Sequence, residues 1–541
     1  MKSLARSLTA FMMLTLSTIA AAQVKISLSY LQHEGLSVQY EIPPSCPQLR
    51  FEKDGPRAAL IRRSWVLEEG CFQIDGDHLR PSNPTCHMVR FKVPASVDKI
   101  TGNPAAFPMG DALYLHTSNY HVDDQCGQVS YTILAPHISY EGMQARERVQ
   151  ITPRADYTFP ALLSSMAITR ANDVISYIDP SIPPDTQQRI EVVSKETIAF
   201  LKTAMPKANF MMPIIAAANV KHPGDIGFDG DAGNVLRLSL FNWPEKLSPY
   251  TRTTITNFVA HEFSHRFQMR DEVDIYPISR VIHEGGGEFL RWYTSLRKGW
   301  LSQLEAAQDL DDALSRCLLG TENQPWQKLS AQTIGERQLA YRCGLAAYVY
   351  GLANRQNQAT AINNFSYFYE RIAKGERPDF YDAIECGELT ECHPRWLTQL
   401  FTGSRGMQAT WNDFFQQSQL AKQVPPSQAQ LDLMTKKAFS LLMGDDCGES
   451  SYFEARDGLI VDDLKSCRTL KRDMKVIGVE GYPLFGNPEA LGAMTKACKS
   501  VRQVNLQLAT KGTIQLTCLR EYQAPKTFFA VDMEKLLRKL N

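Results

Sequence analysis

The chain lacks an excess of either charge: across its 541 residues, Lys plus Arg and Asp plus Glu each number 58. With no net field, nothing draws it as a whole to nucleic acid or to an anionic membrane surface. Hydrophobic residues make up 44% and charged residues 21%, which excludes a mostly disordered, collagenous or coiled-coil chain. A repeat of fixed period and any low-complexity tract are also missing. Beyond the N-terminal segment, no apolar run approaches the roughly 20 residues that span a bilayer. An unpaired count of cysteines is absent too, since twelve are present.

The first 22 residues read as a signal peptide. Lys2 and Arg6 form a positive start, residues 7–19 are mostly apolar, and Ala20 to Ala22 make a small-residue cleavage site before Gln23. No cysteine follows that site, which argues against lipid attachment there. Removing the segment takes two basic residues with it, leaving a net charge of −2. The expectation is an exported protein, periplasmic or secreted, with no membrane span in the mature chain.

An even cysteine count in an exported chain suggests disulfides. Short spacings favour Cys386 with Cys392 and Cys447 with Cys467, then Cys317 with Cys343 and Cys498 with Cys518. Cys46, Cys71, Cys86 and Cys126 are left unassigned. A rival use for part of that group is a structural zinc site of Cys71, His78, Cys86 and His87, although its spacing matches no tight Cys-x2-Cys knuckle.

Along the chain, residues 23–150 read as short strands between turns. Val24 to Leu28 and Met88 to Val93 alternate with period two. No strong helix is legible, and the expectation is a β-rich, sandwich-like domain. Residues 151–424 change texture: helical spacing at Ile190, Val193, Ile198 and Leu201, strands at 210–216 and 235–241, then a predominantly helical stretch from Thr251 to about 420. Pro425-Pro426-Ser427 marks a linker. Residues 430–541 hold a helix, short strands and a final amphipathic helix from about Ala530. The fold class expected is α+β and multidomain.

The chemistry concentrates in Thr254 to His265. On a helix, His261 and His265 lie four apart and can converge on one ion. Glu262 sits beside them, placed to activate a water without being a ligand. This is the spacing of a zinc-peptidase helix. The bland alternative is two histidines on an ordinary amphipathic helix. A third ligand decides between them, and Glu284 follows His265 after eighteen intervening residues, completing a His2Glu site that leaves one position open. Glu288 lies one helical turn later, where it can bond the outer nitrogen of a ligand histidine. Asp271 and His283 are weaker rivals for the third ligand.

That spacing is the gluzincin pattern, and the chain resembles two gluzincin families: the aminopeptidase N family and the glycyl aminopeptidase family with a PDZ domain. Glu284-Gly285 matches the start of their third-ligand segment. The resemblance implies one Zn2+ per chain, a thermolysin-like, mainly helical zinc domain and peptide-bond hydrolysis, with aminopeptidase action included. It also implies an oxyanion-binding tyrosine roughly sixty residues on, and Tyr341 stands 57 residues after Glu284; Tyr348 and Tyr350 are fallbacks. Gly458 to Leu464 and Leu470 to Gly481, followed by a helix at Pro488 to Lys499 and a strand at Gln503 to Leu508, resemble a PDZ core. Arg472 replaces that motif's glycine, and no clear carboxylate-binding loop is visible.

One departure concerns specificity. These families carry a Gly-x-Met-Glu-Asn-like or Gly-Gly-x-Glu-His-like strand whose acidic residue helps bind the substrate amino terminus. Here the corresponding stretch runs from Gly227 through Asp231 to Leu238 without that glutamate, leaving Asp229 or Asp231 as substitutes. The function expected is a zinc metallopeptidase with Glu262 and Tyr341 as catalytic residues and a peptide or protein as substrate. The alternative is an inactive exported scaffold that binds peptides or proteins through its β and PDZ-like domains. Nothing in the sequence specifies an oligomeric state.

Overall fold

A computed structural model describes residues 23–541 apart from 47, 54–55, 97–103, 154–156, 172–173, 209–213, 222–225, 232–234, 456, 463–465 and 511. The signal segment 1–22 and residues 210–213 of the expected strand lie outside the described residues. The chain is a mixed α+β protein dividing into two compact units. One holds the described residues of Met1–Ser181, Ile214–His222 and Gly233–Leu240, the other those of Ile182–Pro213, Pro223–Ala232 and Phe241–Asn541.

In the first unit, alternating sequence becomes alternating burial. Gln23–Tyr30 buries Val24, Ile26 and Leu28, and Met88–Pro94 buries Val89, Phe91 and Val93. The expected sandwich is replaced by one continuous nine-stranded sheet. Its cause is the 13-residue strand Gln128–Tyr140. The first half of that strand runs parallel to Gln23–Tyr30, and its second half pairs with Pro160–Ser164, so both sets of neighbours share a single ladder. A separate three-stranded sheet comprises Leu49–Arg50, Phe72–Asp75 and His78–Pro81. The helix Pro56–Arg63 was not legible as such: Pro56 reads as turn punctuation but opens a helix, where its fixed φ suits the first position.

All six disulfides form: Cys46–Cys126, Cys71–Cys86, Cys317–Cys343, Cys386–Cys392, Cys447–Cys467 and Cys498–Cys518. The four spacing-based pairs are among them. The rival zinc site is overturned, because Cys71 and Cys86 spend their sulfurs on each other.

In the second unit, Pro184–Ala204 forms the expected helix and buries Ile190, Val193, Ile198 and Leu201. The motif helix, Pro249–Ser264, starts where Ser248 accepts a hydrogen bond from the Thr251 N–H and Pro249 takes the first turn. A tight turn at His265–Phe267 ends it. A wide π-type turn, Val281–Gly285, leads into the helix Gly286–Arg297. Gln303–Thr321 is closed by a Ser302/Glu305 capping box, and Leu339–Ala353, the tyrosine helix, is apolar nearly all round and correspondingly buried.

The C-terminal segment belongs to this same unit. Gln428–Cys447 and Glu489–Val501 share a core with a six-stranded antiparallel sheet, through Phe439, Leu459, Val476 and Met494. Ser427 caps the first of these helices instead of ending a loose linker. The last strand, Phe528–Val531, returns to pair with Ala421–Val424. The final helix therefore begins at Met533, not Ala530, and seats Leu536 and Leu540 in the helical core.

Candidate metal centre

His261 projects from the last turn of the motif helix and His265 from the tight turn that follows, and their Nε2 atoms stand 3.0 Å apart. Glu284 Oε2 lies 3.6 Å from His261 Nε2 and 3.4 Å from His265 Nε2. The outer nitrogens are both engaged. Glu288 Oε1 lies 2.9 Å from His261 Nδ1. His265 Nδ1 lies 2.7 Å from Gln268 Oε1. The Gln268 amide nitrogen donates to the His283 carbonyl at 2.9 Å and is also near the Ile282 carbonyl and the Tyr369 hydroxyl. That orientation leaves only its oxygen for His265, so Nδ1 carries the proton and Nε2 presents a lone pair.

Nε2 of both histidines and a Glu284 oxygen therefore face one point, where a cation would fit between them. A tetrahedral ion with bonds of about 2.0–2.1 Å spaces its ligand atoms roughly 3.3–3.4 Å apart. Edges of 3.0, 3.4 and 3.6 Å bracket that value. The donor set fits zinc. Burial disfavours a charged His261, yet Glu284 and Glu288 outweigh it and push its pKa up to about 10, so a bound cation would displace a proton there. Burial and the neighbouring His261 lower that of His265. Burial opposes charge on Glu284, but hydrogen bonds from both histidines hold its carboxyl well below the usual range.

The glycines between Glu284 and Glu288 each admit a neighbour. A Cβ on Gly285 would stand 2.6 Å from the Gly344 Cα, so this pair lets the tyrosine helix press against the Glu284 turn. A Cβ on Gly286 would meet the Gln268 amide at 2.3 Å, and one on Gly287 would meet the His265 and His261 rings at 2.9 and 3.1 Å. The close approach at Gly344 brings in Tyr341. Its ring stacks on His261 with centroids 5.6 Å apart, and its hydroxyl lies within electrostatic reach of Glu284 and Glu262. Burial, and then the charges of Glu284 and Glu262, keep that phenol protonated.

Glu262 points toward the strand Gly227–Asp231: a Cβ on Gly230 would stand 2.7 Å from its Oε1. Phe258 lies equally close to Gly230, and its ring also packs on Phe228 with centroids 4.7 Å apart.

The rivals fall elsewhere. His283 stacks flat on the His265 ring, centroids 4.0 Å apart. Asp271 belongs to a separate short helix, Arg270–Val273. Tyr348 gives its hydroxyl to the Ile282 carbonyl, and Tyr350 packs among Trp411, Phe414 and Phe415. Sequence reasoning missed Gln268 and the ion pairs behind Glu288. Arg291 Nη2 lies 2.5 Å from Glu288, and Arg291 Nη1 lies 2.7 Å from Asp309. The available signal was helical spacing, since Gln268 follows His265, and Arg291 follows Glu288, by three residues.

No protein-family profile and no curated protein sequence matches the chain. Among solved structures, it is similar to an aminopeptidase N family protein from Idiomarina loihiensis at 13% identity and a TM-score of 0.58, covering 96% of this chain and all of that one. At such identity the likeness establishes the fold. An M1 zinc metallopeptidase from Deinococcus radiodurans aligns at 12% identity and a TM-score of 0.35, covering 73% of this chain and 92% of that one, too distant to add weight.

Proposed function

We propose that the chain is an exported zinc-dependent peptidase in which His261, His265 and Glu284 hold one Zn2+. The observation that carries this reading is the triangle of three possible ligand atoms with edges of 3.0–3.6 Å, backed by partners beside both outer nitrogens. The fold shared with an aminopeptidase N family protein supports it. When bound, the ion supplies Lewis acidity.

The remaining work falls to the chain's own groups. Glu262 takes a proton from the attacking water and returns it to the leaving amine, serving as base and then acid. Tyr341, kept protonated by its surroundings, donates a hydrogen bond to the oxyanion that develops in the transition state. Glu288 and Gln268 hold the two imidazoles in the tautomer that presents Nε2. Six disulfides suit an oxidising compartment, and no helix among the described residues is long and apolar enough to cross a membrane. The C-terminal sheet with Glu489–Val501 is read as PDZ-like on the order strand, helix, strand.

Metal analysis of the purified protein, paired with peptide cleavage by wild type and Glu262→Gln, tests the reading. One zinc per chain in both proteins and turnover in wild type alone is the expected result. Full cleavage by Glu262→Gln removes the base assignment, and normal partner binding without chelator-sensitive hydrolysis favours the scaffold alternative.

A further inference from the structure

Two arginines from different helices face one small cavity of about 260 Å³. Asp185, Gln188, Arg189 and Val192 line it from the first turns of Pro184–Ala204, and Arg252 lines it from the N-terminal end of the motif helix. The four residues of the first helix follow one another by three or four positions and so share a face. Arg189 is half-buried and fixed: its Nε donates to Thr256 Oγ1 at 2.8 Å, and its guanidinium lies over the Trp300 ring at 5.4 Å. Glu196, whose charge reaches Arg189, pairs instead with Lys298 at 3.9 Å.

Burial, and then the like charge of Arg252, lower the pKa of Arg189. A guanidinium nonetheless stays ionised in a protein, so the repulsion between the two persists, and an anion set between them relieves it. Each fork presents parallel N–H groups that match a pair of oxygens. Two arginines against Asp185 leave the lining with one net positive charge, which a singly charged anion balances. Asp185 can only accept hydrogen bonds when ionised, so the ligand that suits it carries an N–H as well. The cavity is smaller than the roughly 300–1,000 Å³ that drug-sized molecules occupy, and the group it takes is correspondingly small.

We propose that this cavity binds a carboxylate flanked by an N–H: the last residue of a peptide, or a free amino acid. Arg189 and Arg252 take the carboxylate oxygens, and Asp185 accepts the N–H. The site is separate from the metal centre, since Arg252 precedes His261 by nine residues, about 14 Å along the helix axis. Its occupancy does not depend on the hydrolase reading.

Titration calorimetry of the purified full chain with N-acetylalanine, alanine, N-acetylalanine amide, acetate and inorganic phosphate tests the site. N-acetylalanine stands for a peptide end and alanine for a free amino acid; whichever binds, once per chain, identifies the source. The amide, which lacks the carboxylate, should bind at least about ten-fold more weakly than the acid. Arg252→Ala changes an exposed side chain and should leave thermal unfolding unchanged, yet cut the affinity about ten- to a hundred-fold. Affinity unmoved by Arg252→Ala would place the ligand elsewhere, the metal centre included, and overturn the site. Equal binding of acid and amide, tighter binding of phosphate than of either carboxylate, or no binding at all would overturn it too. Acetate binding as tightly as N-acetylalanine would remove the Asp185 contact and with it the amino-acid class.

Discussion

The histidine nitrogens that face away from the centre set the quality of the site. Gln268 is fully buried and fixed by three donor contacts, so it can offer His265 only its oxygen. Gln268→Ala should lower zinc affinity roughly 10–100-fold, read by competition with a chromogenic chelator; unchanged affinity would strip Gln268 of its orienting role. Glu288 leans on Arg291, whose charge outweighs burial and holds the carboxyl far below its ordinary range. Removing that guanidinium leaves Glu288 and Asp309 without their shared partner. Arg291→Leu should therefore cost about 3–5 kcal/mol in chemical denaturation. At this scale the candidate ligands were legible because metal chemistry restricts residue type and helical spacing together. Their supports were not, because glutamine and arginine recur along any helix surface and nothing local marks these two.

Between elements, the Glu284 turn and the tyrosine helix touch backbone to backbone at Gly285 and Gly344. Gly344→Ala places a Cβ 2.4 Å from the Gly285 Cα, so the helices must separate. The expected cost is about 1–3 kcal/mol, with zinc content retained and turnover reduced about as far as in Tyr341→Phe. Equal activity in Gly344→Ala and wild type would show that the crossing does not position Tyr341. The strands and helices themselves followed their periods, 2.0 for Gln23–Tyr30 and about 3.6 for Pro184–Ala204. Helix Pro56–Arg63 did not, because about two turns of proline-led sequence carry too little period to separate them from a loop.

For the whole second unit, the chain's end is stitched to the helical body. Asp311 accepts the Val531 N–H at 3.0 Å, while burial pushes its carboxyl from an ordinary 3.8 up to about 7. Between about pH 4 and pH 7 the folded protein holds this proton and the unfolded chain does not. Asp311 therefore contributes stability that falls as pH rises through that window. Asp311→Asn keeps the acceptor and removes the titration. The stability difference between wild type and the variant should shift against wild type by up to about 4 kcal/mol from pH 4 to pH 7, followed by urea unfolding. A difference independent of pH would show that Asp311 ionises freely when folded.

The sequence by itself determined the helix that carries His261, Glu262 and His265, the ligand candidate Glu284, and four of the six disulfides, because each depends on contacts between residues near in the chain or on strict spacing. Only the tertiary structure decided that Gln268, Gly344 and Gly230 lie against the same cluster, that one long strand merges two expected sheets, and that residues 528–531 return to 421–424. Those relations join positions up to about a hundred residues apart through packing, and packing leaves no periodic trace along the chain.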